Sequence, residues 1–382
     1  MRQAAQTCLS SALSCAWLAI SALLIFTTAN AQINLKVNIN NGADNNTPDN
    51  HLIVLQYHHV STTTPASTST TPEQFSAQLN WLADNNYTIT ALPEALSKLR
   101  AGKKLADKTV AISFDDGYLD NYTNAYPILR DHGWPFTIFV NPQPHDQQLK
   151  GWASWEQLRE MASNGASIAN HTTSHLYMLR QLNNESTQEW RVRMAGEILH
   201  AEKRIKTETK QTHRMLSYPY GESNQAIQEI IEELEFTAFG QQSGAIGPDS
   251  NYRDLPRFPL SGSYSNLDTF ITKMKSLPMP VYSATPDSTS GGGTLIYTET
   301  RPTLGLQLHD TDPLALNCFA SGQGSIPVSD QGEGRYLVRA PKAIPVGRSR
   351  YNCTYASEWP GRFYWYSYAW VRQDVGESWT HK

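Results

Sequence analysis

Three short stretches of this chain hold residues whose types and spacing could do chemistry. Ser113-Phe114-Asp115-Asp116-Gly117 sets two adjacent carboxylates behind an apolar run. Two like charges this close repel, and both stay ionised only with a cation beside them. Gly117 then lets the chain turn without a Cβ penalty. Asp-Asp-Gly is also ordinary turn composition, so the stretch proves little alone. His171-Thr172-Thr173-Ser174-His175 changes the balance. Two histidines four apart on one side of a helical turn can share a metal ion. Thr172 stands where a zincin motif has glutamate, so a third ligand and a base must come from elsewhere. Asp115 and Asp116 can supply both. In the third stretch, Ser217-Tyr218-Pro219-Tyr220-Gly221, proline stiffens a turn and glycine allows close backbone approach. The Tyr220 N–H could there face a developing oxyanion.

The elements that must position these residues follow from periodicity. Residues 51–57, 110–114, 136–140, 167–170, 215–218 and 236–239 are apolar runs of strand length. Helical patterns separate them, over 121–131, 155–163, 186–206 and 224–233, and Thr71 and Ser186 each open a capping box. Repeated β-then-α predicts an α/β fold, a distorted (β/α) barrel or part of one, over residues 51–277. Each chemical stretch then falls at the carboxyl end of a strand, where such folds place their sites. Residues 278–293, rich in Pro, Ser, Thr and Gly, read as a linker. Beyond it, residues 294–382 show short β-rich runs between turns, the signature of a small all-β sandwich. Tyr364, Tyr366, Tyr368 and Trp370 share one face of a predicted strand, read as sandwich packing with an exposed sugar-binding face as the alternative. Trp152 and Trp155 suit a sugar cleft or a core equally, and His132, His145, His200 and His213 read as surface or capping residues.

Taken together, the stretches resemble the polysaccharide deacetylases of the NodB-homology type, carbohydrate esterase family 4. Ser113-Phe114-Asp115-Asp116-Gly117 matches the motif that gives that family a catalytic base and then a metal ligand. His171 and His175 match its two histidine ligands, and Pro219-Tyr220-Gly221 the end of its third motif. The resemblance implies Asp115 as base, Asp116, His171 and His175 as ligands of a divalent metal, and Tyr220 as oxyanion donor. Zinc suits a His₂-carboxylate set, with Co²⁺, Ni²⁺ or Mn²⁺ as substitutes. Two histidines compete for general acid. His309 lies past the linker and is assigned a structural or surface role. Tyr57-His58-His59-Val60 is similar to the opening of a circularly permuted branch that includes poly-β-1,6-N-acetylglucosamine deacetylases, which implies His58. Arg257, in Leu255-Pro256-Arg257-Phe258-Pro259, resembles an arginine of that branch and is implied to fix Asp115, the alternative being an ordinary surface arginine.

Composition sets the outer limits. The 382 residues are 40% hydrophobic and 17% charged, ordinary for a globular protein, and the net charge of −4 carries no footprint for nucleic acid. Residues 1–31 read as a signal peptide, with Ala29-Asn30-Ala31 as the cleavage site and a retained N-terminal anchor as the alternative. Residues 32–50 are an Asn-rich flexible lead-in. The expected mature protein is exported to the periplasm or beyond, without a membrane span. It keeps only Cys318 and Cys353, a natural disulfide pair. The expected activity is removal of N-acetyl groups from an N-acetylglucosamine-containing glycan. The rivals are an O-acetyl (xylan) esterase and an inactive secreted carbohydrate-binding protein. A glycosidase is disfavoured, because neighbouring carboxylates do not flank a sugar bond.

Overall fold

The computed structural model describes residue 48 and residues 50–286, 295–296, 299–309 and 315–373. The expected signal peptide, and all of the lead-in but residues 48 and 50, lie outside the described residues. Apolar runs become strands as expected: β1 (Ile53–Tyr57), β2 (Thr88–Ile89), β3 (Thr109–Asp116), β4 (Phe136–Val140), β5 (Ala166–Asn170), β6 (Met215–Ser217), β7 (Thr237–Phe239) and β8 (Phe258–Pro259). They form one sheet in the order β8-β1-β3-β4-β5-β6-β7, with β2 paired to β3, and every pairing is parallel. Parallel strands need crossovers, and helices supply them: Pro72–Asp84, Tyr126–His132, Trp155–Ser163, Thr187–Thr209 and Gln225–Glu233. Capping boxes at Thr71, Ser154 and Ser186 fix three helix starts. A single π turn, Asn121–Ala125, leads into the helix that Gly133 ends in the left-handed conformation.

The sheet curls into a barrel. Leu255 bridges to Phe239 on one edge while Phe258 pairs with Leu55 on the other, so the segment between them closes the gap. Side chains alternate across each strand. Val54, Ala111, Phe139, Ala169, Met215, Phe239 and Leu255 cluster on one side, whereas Leu55, Ile112, Ile138 and Ile168 pack elsewhere with Phe75, Leu79 and Leu82 of the first helix. The same alternation puts Gln56, Ser113, Asp115 and Ser217 on the side of Val54 and Ala111, one layer nearer the carboxyl ends.

The C-terminal residues form two further sheets. One runs β9 (Ser276–Pro278), β18 (Phe363–Arg372), β17 (Gly347–Ala356), β13 (Asn317–Ala320), β14 (Gly324–Ile326), with β11 (Leu295–Ile296) also on β18. The other runs β10 (Val281–Pro286), β12 (Thr303–Leu308), β16 (Arg335–Arg339), β15 (Val328–Asp330). They share one core, in which Leu304, Leu306, Val338, Tyr351 and Trp370 meet. Cys318 and Cys353 face each other across β13 and β17 and are bonded. Tyr364 and Trp370 are buried in that core, and Tyr366 and Tyr368 pack on it.

One expectation needs correction here. The linker at 278–293 is in part ordered strand, because Pro278 ends β9 and Val281–Pro286 pairs with β12; residues 287–293 lie outside the described residues. Its Pro/Ser/Thr composition resembled a spacer, but tertiary pairing overrode it. The β region packs directly on the barrel: Trp365 is edge-on to Phe258, and Val371 joins the apolar cluster of Trp190, Ile227 and Ile231.

Candidate active site

β3 delivers Asp115 and Asp116 to the carboxyl end of the sheet, and a change of backbone conformation then separates them. Asp115 continues the strand, whereas Asp116 and Gly117 both have φ 70°. Such a conformation is costly for a non-glycine residue and concentrates at functional sites. Gly117 has no substitute: a Cβ there would lie 2.9 Å from His145 Cε1 and 3.0 Å from Val140 Cγ1. His145 is accordingly buried, with Nδ1 2.7 Å from the Ala153 carbonyl, and is not the surface residue expected.

His171 and His175 do meet Asp116, but not on a helical turn. Residues 171–175 are irregular, with Thr172 at φ 61° and His175 at φ 56°. Side chains replace helical hydrogen bonds: Thr172 N donates to Asn170 Oδ1 at 2.9 Å, and the N–H groups of Thr173 and Ser174 both donate to Glu197 Oε2 at 3.0 Å. His171 Nε2 lies 3.5 Å and His175 Nε2 3.4 Å from Asp116 Oδ1, and one donor atom from each residue falls within 4.8 Å of the others.

The donor set suits a divalent cation on its own chemistry. His171 Nδ1 sits 2.7 Å from the Ser217 carbonyl, which can only accept, so Nδ1 carries the proton and Nε2 presents a lone pair. That Nε2 is buried without a hydrogen-bond partner. Burial pushes the His171 imidazole down to about 3 and lowers His175 as well, keeping both rings neutral as ligands must be. Burial pushes Asp116 up to about 6 in the absence of a cation. A cation held by three such residues would have coordination positions left for water and substrate.

Asp115 has a different environment. Arg257 Nη1 donates to Oδ1 at 2.7 Å and Nη2 to Oδ2 at 2.8 Å, and Gln56 Nε2 donates to Oδ2 at 2.7 Å. Burial by itself would raise this carboxyl, but the Arg257 charge and its hydrogen bonds outweigh it and hold Asp115 well below the usual carboxylate range. Arg257 is no surface residue: it is fully buried, donates further to Ser217 Oγ at 2.7 Å and to the Gly240 carbonyl at 3.1 Å, and lies over the Phe139 ring.

His58, at the bend after β1, places Nε2 3.9 Å from Asp115 Oδ2, and Asn121 Nδ2 pins its carbonyl at 2.6 Å. His309 is remote from this group. It belongs to the β region, where its backbone N–H bonds the Pro280 carbonyl and its ring meets Tyr282. The Tyr220 ring packs edge-on to His175 at 4.6 Å, and its backbone has φ 61°. Of the tryptophans, Trp152 comes within 5.3 Å of Tyr118, and Trp155, the first residue of its helix, donates its indole N–H to Asp146 Oδ1 at 2.7 Å.

Gln56, Ser217 and Tyr118 escaped the sequence reading. The first two had a usable signal: each lies on an inward-facing position of a strand that also carries a motif.

A sequence model of the polysaccharide deacetylase family matches residues 102–239, which contain Asp115, Asp116, His171, His175 and Tyr220. A Bacillus subtilis (strain 168) protein, YxkH, that carries a polysaccharide deacetylase name is 33% identical over 232 residues, 59% of this chain and 77% of YxkH. The chain belongs to the polysaccharide deacetylase family. This deacetylase is also 26% identical over 258 residues to the poly-β-1,6-N-acetyl-D-glucosamine N-deacetylase of Escherichia coli (strain K12), which is 57% of this chain but 38% of that enzyme. Among solved structures, a Streptococcus pyogenes deacetylase, PplD, in complex with acetate superimposes with a TM-score of 0.53 at 21% identity, covering 59% of this chain and 99% of that one. The barrel fold is therefore shared.

Proposed function

We propose that this deacetylase is metal-dependent and removes N-acetyl groups from an N-acetylglucosamine-containing polysaccharide. The observation that carries the reading is the juxtaposition of two differently tuned groups. Asp116, His171 and His175 converge with an orphaned nitrogen, and the ionised Asp115 stands beside them on Arg257.

Asp116, His171 and His175 are the ligands proposed for the cation, with zinc suited to the donor set and Co²⁺, Ni²⁺ or Mn²⁺ as substitutes. Bound there, it would supply Lewis acidity toward the attacking water and the acetyl carbonyl. Asp115 is the proposed general base. Arg257 keeps it ionised and oriented at some expense of basicity, which suits removal of a proton from an already acidified water. The Tyr220 N–H is proposed to bond the carbonyl oxygen as negative charge develops on it. His58 is proposed to protonate the departing nitrogen, because an amine anion is too poor a leaving group to depart unprotonated. Its separation from Asp115 leaves room for both groups to serve one reacting carbon.

The N-acetylglucosamine substrate is supported by the relatives named for poly-β-1,6-N-acetyl-D-glucosamine. Residues 1–31 have signal-peptide character, and we propose export; among the described residues no helix is long and apolar enough to cross a membrane. Residues 51–277 are proposed as the catalytic unit and the following β region as its accessory.

The test is acetate release by metal-loaded protein from chitooligosaccharides, β-1,6-linked N-acetylglucosamine oligomers and acetylated xylan, each with a chelator control. Chelator-sensitive release from either glucosamine polymer is the expected result. Release from xylan alone would replace this reading with an O-acetyl esterase.

A further inference from the structure

The β region reaches into the candidate site through one residue. Along β17, Ser349, Tyr351, Cys353 and Tyr355 alternate inward to the sandwich core, which leaves Arg348 on the opposite face, toward the barrel. Arg348 Nη1 donates to the Tyr220 carbonyl at 3.0 Å, across 128 positions of chain. Its guanidinium lies 5.2 Å from the Tyr220 ring centroid, and its Nε is 3.9 Å from Oε1 of the buried Glu222.

Tyr220 needs such support. It has φ 61° and ψ 0°, a left-handed conformation unfavourable for an aromatic residue. Neighbouring contacts hold parts of it: Gly221 N–H closes the turn on the Tyr218 carbonyl at 2.9 Å, and Tyr177 stacks on the ring at 3.9 Å with planes 5° apart. Arg180 in turn lies 3.3 Å over Tyr177, so the two tyrosine rings are stacked between two guanidinium groups. Only Arg348, among the described contacts, holds the Tyr220 carbonyl. Fixing that peptide plane restrains ψ of Tyr220 and, with the ring pinned, the direction of its N–H.

We infer that Arg348 is a positioning residue for the reaction proposed above: the β region holds the Tyr220 turn so that its N–H meets the developing oxyanion. This rests on the proposed oxyanion role of Tyr220. Stability is a poor alternative explanation. Arg348 is 51% exposed, and ion pairs of such residues contribute little to folding. The benefit of a fixed N–H falls instead on the transition state, because charge on the oxygen exists only there.

The experiment compares full-length wild type with Arg348→Ala and Arg348→Lys, all metal-loaded, on the N-acetylglucosamine oligomer that wild type hydrolyses. Alanine should lower kcat about tenfold, the equivalent of one hydrogen bond, with KM within about twofold. Lysine, which can still donate to the carbonyl, should recover part of the loss. Unchanged kcat in the alanine variant would overturn the inference. So would a raised KM at constant kcat, which would make Arg348 a direct glycan contact. A second readout needs no turnover: in protein labelled with ¹⁵N-tyrosine, the Tyr220 amide signal, assigned by its loss in Tyr220→Phe, should shift or broaden in Arg348→Ala. An unmoved signal refutes positioning. A moved signal in a wild type that releases no acetate would uphold positioning and refute the deacetylation reading instead.

Discussion

Arg257 meets Asp115 edge to edge, Nη1 2.7 Å from Oδ1 and Nη2 2.8 Å from Oδ2, with neither side chain exposed to solvent. The planar guanidinium matches both oxygens at once, which a lysine cannot do. The pair therefore sets the charge and the orientation of the candidate base together, from a segment that also closes the barrel.

Arg257→Ala should both destabilise and inactivate the protein. It leaves a buried carboxylate unpaired, a loss of about 3–5 kcal/mol by urea unfolding. Arg257→Lys should fold better yet stay impaired in kcat, because one oxygen loses its partner. A lysine variant with wild-type kcat would show that bidentate contact is dispensable.

The roles proposed for the two aspartates and the histidine ligands separate in a metal-binding assay. Asp115→Asn should retain bound metal by elemental analysis while acetate release falls more than about 100-fold. His171→Ala should lose the metal and the activity together. Near-normal turnover of the asparagine variant would remove Asp115 from the role of base.

Substrate chemistry tests His58. An amide nitrogen must be protonated to leave, whereas a nitrophenolate leaves unaided. His58→Ala should slow acetamide hydrolysis about 100-fold and 4-nitrophenyl acetate hydrolysis far less. Equal losses on both would point to a binding role instead.

Stability should depend on pH through Asp254, away from the metal ligands. Burial pushes its carboxyl up to about 6 from 3.8, against hydrogen bonds from Gln242 Nε2 at 3.1 Å and Ser223 Oγ at 3.0 Å. A raised carboxyl favours the folded state below pH 3.8 and loses that advantage as pH climbs to about 6. Asp254 is half-buried, so water screens part of the effect, leaving about 1–3 kcal/mol. Asp254→Asn should flatten the decline between pH 4 and 6 and raise stability at pH 8. An unfolding free energy with the wild-type slope across that window would contradict the assignment.

Local signals made much of the fold legible. The capping boxes at Thr71 and Ser186 and the period-2 burial along β12 and β16 are written in adjacent residues. β10 was hidden because its strand character comes from pairing with β12, and no local residue announces that pairing. The geometry at His171 and His175 was likewise misjudged from spacing. A four-residue separation suggests a helical turn, whereas two left-handed residues and the distant Glu197 shape the loop.

The sequence by itself determined the candidate groups, the order of their motifs and the strand ends that carry them, because residue type and short-range periodicity are local properties. The tertiary structure alone decided the contacts through which these groups meet. Arg257 reaches Asp115 across 142 positions and Arg348 reaches Tyr220 across 128, each through the closure of a sheet or the docking of one on another. Such contacts depend on side-chain alternation in strands far apart in the chain, and no spacing within a motif encodes them.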